Sequence, residues 1–214
     1  MPNPYHHGDV PRATLAAARE ILEQKPMSAI SVRELARVAG VSHSAPYRHF
    51  GDKAGFLGAL TGLCLDEFVS AQEAAMNAAP QGTKLTAVGR AYVEFAVEHP
   101  HVFDILYNPR TGVPLYHPAV QAALLRHGEM FRVALADADA AGLLPPDVDL
   151  IAAGYAVWGA AHGLAHLVTA GFAPPEDVEA ILISMLRSGT PPPAGQERQQ
   201  WVPVQKTVEP RPGH

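Results

Sequence analysis

Apolar positions recur at three and four residues along most of the chain, and no alternating pattern persists anywhere. That periodicity predicts helices without strands, an all-α fold of about nine helices. The first helix is expected from Asp9 to about Lys25, with Pro11 tolerated in its first turn and Leu15, Ala18, Ile21 and Leu22 inward. A long fourth helix is expected from Asp52 to about Ala79, with Phe56, Leu60, Leu63 and Ala71 as its stripe. The fifth opens at Thr83 and carries Leu85, Val88, Tyr92, Phe95 and His99 up to Pro100. A short sixth helix runs from His101 to Tyr107, and residues 108–114 are rich in turn formers. The seventh is expected over 118–141, with Val120, Leu124, His127, Phe131 and Leu135 on one face. The eighth spans roughly 148–170, and the ninth starts at Pro174-Pro175 and carries Val178, Ile181, Leu182 and Met185. Residues 189–214 hold six prolines and no periodicity, so a disordered tail is expected, with Trp201 to Val204 as an incidental apolar island.

Between the first and fourth helices lies the most specific stretch, residues 30–53. Ser31 followed by Glu34 is a capping box, with Ile30 and Leu35 placed to staple it. A helix of about two turns presents Leu35, Ala36, Val38 and Ala39 inward and stops at Gly40, the residue that takes a left-handed conformation at low cost. Val41 fills the angle of the turn, and Ser42 caps a second short helix. Pro46 falls in the first turn of that helix, where proline is tolerated. Small polar residues followed by an aromatic and a cation make a surface able to enter a major groove. A generic helical hairpin is the weaker interpretation.

The net charge of −5 argues against nucleic acid only as an average. Residues 1–60 hold seven Lys and Arg against five Asp and Glu, net +2, while the remainder is net −7. The positive end is the end with the helix-turn-helix, as an electrostatic footprint requires. Cys64 is the only cysteine, which fits a reducing cytoplasm, and it reads as a small core residue. The N-terminus lacks a signal-peptide pattern. Residues 150–173 contain no charge, but two histidines, four glycines and acidic flanks favour a buried helix over a membrane span.

Gly40-Val41-Ser42, Tyr47-x-His49-Phe50 and Asp52-Lys53 resemble the helix-turn-helix signature of the tetracycline-repressor (TetR) family of bacterial regulators. Tyr5-His6-His7-Gly8-Asp9 resembles the opening of a subgroup, and Trp158-x-x-x-His162-Gly163 resembles the signature of its WHG-type C-terminal domain. The resemblance implies a three-helix DNA-binding domain over 9–55, a larger ligand-binding and dimerisation domain over 56–188, and a tail over 189–214. It implies a ligand-relieved repressor that binds a pseudo-palindromic operator as a homodimer, needs no cofactor and acts in the cytoplasm.

By position in the motif, His43, Ser44 and Ala45 face base edges, Arg33 can reach one from the preceding helix, and the capping Ser42 belongs to the same DNA-binding surface. Ala45 offers only a methyl group, suited to a thymine methyl. The resemblance implies that Tyr47, Arg48, His49 and Lys53 hold the DNA around them, with phosphates as partners of Tyr47, His49 and Lys53.

The eighth helix has two stripes. Tyr155, Trp158, His162 and His166 stack along one side, and Ala152, Ala156, Gly159, Gly163 and Ala170 form a row of small residues. The resemblance implies a four-helix dimer interface from the eighth and ninth helices: Ala156, Gly159, Gly163, Val178, Ile181, Leu182 and Met185. An effector of unknown identity is expected against Tyr92, Phe95, Phe103, Tyr107, His127, Phe131, Trp158 and His162, although each could equally fill the core. Their polar atoms are neutral imidazoles, phenols and an indole, which suit an uncharged or weakly polar molecule. His162 and His166 have chelating spacing, with His99 or His127 as possible partners, so a metal- or cofactor-binding helical protein is the alternative. Hydrogen-bonded core or pocket histidines are the better expectation, and neither metal nor catalytic residues are assigned.

Overall fold

The computed structural model describes residues 10–42, 45–107 and 115–186. Among them the elements are α1 (Val10–Leu22), α2 (Val32–Val38), α3 (Ala45–Phe50), α4 (Lys53–Ala78), α5 (Lys84–Glu98), α6 (Pro100–Tyr107), α7 (Pro118–Ala140), α8 (Leu150–Thr169) and α9 (Val178–Leu186). Short 3-10 turns at Met27–Ala29 and Pro175–Asp177 precede α2 and α9. The all-α expectation is correct for the described residues. Residues 1–9, 43–44, 108–114 and 187–214, with the expected tail, lie outside them.

Helix ends follow the local chemistry. The Ser31 hydroxyl accepts from the Glu34 amide at 3.2 Å and opens α2. The helix closes with Gly40 N donating to Arg37 O and Val41 N to Ala36 O, at 3.2 and 2.9 Å, around Gly40 at φ +65°. This is the double bond of a Schellman stop. The same pair of bonds recurs after α7, from Gly142 to Asp139 and from Leu143 to Ala138. Asp149 caps α8, its Oδ1 accepting from Ile151 N and Ala152 N at 2.8 and 3.1 Å. The start of α5 is capped from α7: Asp137 Oδ2 accepts from Gly82 N at 2.8 Å and Lys84 N at 3.2 Å.

The residues group into two compact units, one of residues up to Glu73 with Glu98–Met130, the other of Ala74–Val97 with residues from Phe131 on. The first is built on α1, the start of α4, α6 and the start of α7. Thr14, Ala17, Ala18, Ile21 and Leu22 of α1 are buried, and α1 packs against α2, α3 and α6. Arg19 Nε reaches Glu67 Oε2 on α4 at 2.5 Å. Although partly desolvated, Arg19 is held charged by Glu67 and Glu23. The α4 core stripe differs from the expected one: Leu60, Cys64, Phe68, Val69 and Gln72 are fully buried, whereas Ala71 is exposed. Gly62 is packed so tightly that a Cβ there would lie 2.4 Å from Ala119 Cβ of α7. Beside this contact Arg126 of α7 binds Glu73 through two nitrogens at 2.8 and 3.1 Å, and its guanidinium also meets Ser70 and Asp66. Val38, expected inward, is exposed, because Leu35 and Ala36 already fill the buried side of α2.

In the second unit α5 buries Leu85, Val88, Tyr92, Val93 and Phe95, and α8 packs on α9. A Cβ at Gly89 of α5 would meet Leu182 Cδ1 of α9 at 2.8 Å, so these helices also touch closely. The uncharged α8 is not the buried helix that its composition suggests: only Ala161, Leu164, Ala165 and Val168 are buried. Among the described residues one helix, α4, is long and apolar enough to cross a membrane by length and composition, and half of the qualifying window is buried inside the protein.

Candidate nucleic-acid interface and effector region

The helix-turn-helix is held from three sides. The Lys25 ammonium binds both Glu34 oxygens at 2.6 and 2.8 Å, tying the end of α1 to the first turn of α2. The Lys25 hydrogen bond is the main reason that the Glu34 carboxyl lies below its ordinary range. The α3–α4 turn has Gly51 at φ +78°, after which Asp52 Oδ1 accepts from Gly55 N at 2.8 Å. Only glycine fits at position 55, since a Cβ there would lie 2.1 Å from the Phe50 carbonyl oxygen. The Phe50 and Phe56 rings meet edge to face at 5.4 Å and fix α3 to buried Phe56 of α4. The Asp52-Lys53 signature is therefore a cap and the first residue of α4, which brings Lys53 next to the end of α3.

Arg33 on α2, Arg48 and His49 on α3 and Lys53 on α4 are all exposed, as is Ser42 in the turn. Ala45 and Tyr47 lie on α3, whose backbone alone is described there; His43 and Ser44 fall outside the described residues. The exposed groups at this end are cations and small polar groups on two short helices and the start of α4, suited to phosphates and base edges.

The expected effector residues fall into separate groups. In the first unit Phe68 lies 6.3 Å from Phe103, 6.3 Å from Tyr107 and 6.2 Å from His127, centroid to centroid, while Phe103 and Tyr107 are 4.9 Å apart. Burial pushes the His127 pKa down to about 4, so its imidazole is neutral at physiological pH. Phe68 organises this cluster and was not among the expected residues. Gln72, one turn further along α4, was also missed: it is fully buried, its Nε2 donates to Phe68 O at 3.3 Å, and its Oε1 has no hydrogen-bond partner. The i, i+4, i+8 spacing of Cys64, Phe68 and Gln72 was the available signal, masked because glutamine in a long helix reads as a surface residue.

In the second unit the buried Tyr92 hydroxyl hydrogen-bonds His162 Nδ1 at 2.9 Å, and His162 Nε2 lies 3.2 Å from His166 Nε2. Desolvation, and secondarily His166, lowers the His162 pKa. Phe95 is buried, Phe131 and Trp158 half-buried. The alternative of a four-histidine metal cluster gains no support. His99 pairs with Glu23 at 2.9 Å, His127 packs on Phe68, and no group of three or more His, Cys, Asp or Glu placed to hold a metal occurs among the described residues. Cys64 is fully buried, and desolvation raises its thiol to about 12, so it is no nucleophile.

Of the expected dimer residues, Ala156, Gly159, Gly163 and Met185 are exposed and Ile181 is half-buried. Val178 and Leu182 instead point into their own unit, each 3% exposed, because Leu182 fills the space over Gly89. Alongside the small residues, α8 exposes Ile151 at 72%, Tyr155 at 67% and Leu167 at 47%.

A capped helix-turn-helix braced by α1 and fringed with cations defines a DNA-binding regulator. Residues 15–60 match the family described as "Bacterial regulatory proteins, tetR family", and residues 85–188 match "Tetracyclin repressor-like, C-terminal domain". A structure of a protein of unknown function from Rhodococcus sp. RHA1 is 30% identical, covering 88% of this chain and 98% of that one, with a TM-score of 0.73. The TetR family transcriptional regulator PfmR from Thermus thermophilus is 26% identical over 81% of this chain and 97% of its own, at a TM-score of 0.61. The transcriptional regulator FadR from Bacillus subtilis, solved in complex with stearoyl-CoA, shares the fold at 16% identity, over 83% and 98% of the two chains, with a TM-score of 0.62. The chain belongs to the TetR family of transcriptional regulators.

Proposed function

We propose that this regulator is a repressor that binds a pseudo-palindromic operator as a homodimer and leaves it when a small molecule occupies the C-terminal half. The observation that carries the dimer is the exposed apolar face of α8, where Ile151, Tyr155 and Leu167 flank Ala156, Gly159 and Gly163. Exposed apolar surface of this kind marks an interaction site. A second copy meeting it by two-fold symmetry gives half-sites about one helical turn (~34–36 Å) or a multiple apart. Arg33, His43, Ser44 and Ala45 face the bases, Tyr47, His49 and Lys53 hold phosphates, and Ser42 and Arg48 lie on the same DNA-binding surface.

The effector is assigned to the aromatic and imidazole side chains of the first unit, Phe103, Tyr107 and His127. Gln72 Oε1, a buried acceptor awaiting a donor, supports a hydrogen-bonding ligand. With no cation among these residues, an uncharged molecule suits them better than an anion such as an acyl-CoA. Ligand occupancy shifts α4, and thereby the spacing of the two recognition helices.

Fluorescence anisotropy of the DNA upstream of the chain's own gene tests operator binding, and Gly163→Leu tests the interface. A Cβ at Gly163 meets nothing within 4 Å in its own subunit, so the substitution is aimed at what a partner places there, and a melting curve of the variant checks that its own fold is kept. Overpacking of about 1–3 kcal/mol per subunit should weaken the dimer tenfold or more in sedimentation velocity. An unchanged dimer moves the interface elsewhere, and absent binding to that DNA means that the operator does not lie there.

A further inference from the structure

We propose that His162 and His166 form a binding site for a divalent transition-metal ion of the zinc or nickel type. The two residues are one turn apart on α8, with Nε2 atoms 3.2 Å apart and rings at 85°. Two imidazole nitrogens bound to one tetrahedral zinc at about 2.0–2.1 Å stand about 3.3–3.4 Å apart. The separation therefore differs from that of a chelating pair by only ~0.1–0.2 Å, and taking the ion requires the rings to turn rather than to move apart. Without metal, the approach is an N–H···N hydrogen bond. With metal, both Nε2 lone pairs turn to the ion and each ring carries its hydrogen on Nδ1.

The second observation concerns that Nδ1 hydrogen. Metal-binding histidines donate their other ring N–H to a fixed partner, which sets tautomer and ring orientation. His162 Nδ1 already lies 2.9 Å from the hydroxyl of Tyr92, a fully buried side chain on α5. An incidental surface pair would have no such buried anchor. His166 is exposed and His162 half-buried, so an ion can enter from solvent. Imidazole donors select zinc, nickel or copper over magnesium and calcium. No third His, Cys, Asp or Glu joins the pair among the described residues. Water, or the same pair from a second copy, completes the shell.

The test is isothermal titration of zinc chloride into the metal-free full chain, wild type beside His166→Ala, His162→Ala and Tyr92→Phe. His166 is exposed, so its alanine variant keeps the fold, which circular dichroism verifies. The expected result is saturable binding by the wild type, with one ion per chain if water completes the shell and one per two chains if a second copy does. His166→Ala and His162→Ala should each lose at least tenfold in affinity, and Tyr92→Phe about 10–100-fold, as for loss of an orienting partner. No binding by the wild type overturns the proposal. So does wild-type affinity in His166→Ala, which would assign the ion to other histidines such as His6 and His7.

Discussion

Acid should unfold this protein partly through one imidazole. His127 titrates near 4 in the folded chain against an ordinary 6.5, because burial beside Phe68 disfavours its charged form. A base whose folded pKa is depressed binds its proton more tightly when unfolded, so the fold is fully favoured above pH 6.5 and loses stability as pH falls below it. At a little over 1 kcal/mol per tenfold change in proton affinity, the loss is about 1 kcal/mol at pH 5.5 and about 2–3 kcal/mol at pH 4.5. It levels off between about 3 and 4 kcal/mol well below pH 4, where both states are protonated. Every other group also titrates, so the informative quantity is a difference. Urea denaturation of wild type and His127→Leu at pH 7.5, 6.5, 5.5 and 4.5 should show the wild type losing about 2–3 kcal/mol relative to the variant across this range. A difference that stays flat within about 0.5 kcal/mol would refute the desolvated environment of His127. His127→Ala adds a functional arm: near-wild-type folding and operator affinity with blunted ligand release would mark an effector contact, whereas a large stability loss would mark a core residue.

Two further outcomes follow from the contacts. Lys53→Ala should weaken binding to all DNA sequences alike and flatten the salt dependence by about one counterion, measured by anisotropy between 50 and 200 mM salt; altered sequence preference with intact nonspecific affinity would contradict a phosphate role. Gly62→Ala should cost about 1–3 kcal/mol in thermal or urea melts, because its methyl would collide with Ala119 at 2.4 Å; a neutral result would mean that α4 and α7 separate freely there.

Features written in short-range chemistry were legible in the sequence. Ser31, Asp52 and Gly40 cap and stop helices where their side chains, or the lack of one, dictate. Features depending on which face meets which neighbour were not. Ala71 and Gln72 are adjacent on α4, and their polarities suggest the reverse of their burial. An uncharged α8 looks like core because hydropathy cannot tell a subunit's own interior from an apolar face left exposed. Val178 and Leu182 share the helical spacing expected of an interface, yet Leu182 is taken by Gly89, a notch on α5 that only the folded chain reveals. Spacing along the chain also says nothing about long-range pairing, such as that of His99 with Glu23.

The sole thiol sits at the middle of α4 with no exposed surface. With a pKa of about 12, roughly one thiol in ten thousand is ionised at pH 8 even before access is considered. Alkylating reagents can therefore modify Cys64 only after the helices around it open. The chain carries a built-in clock for that opening: the labelling rate relative to an unprotected thiol gives the free energy of exposing the α4 core, with no engineered probe. Following it as operator DNA is added would reveal whether gripping DNA stiffens this helix or leaves it free to breathe.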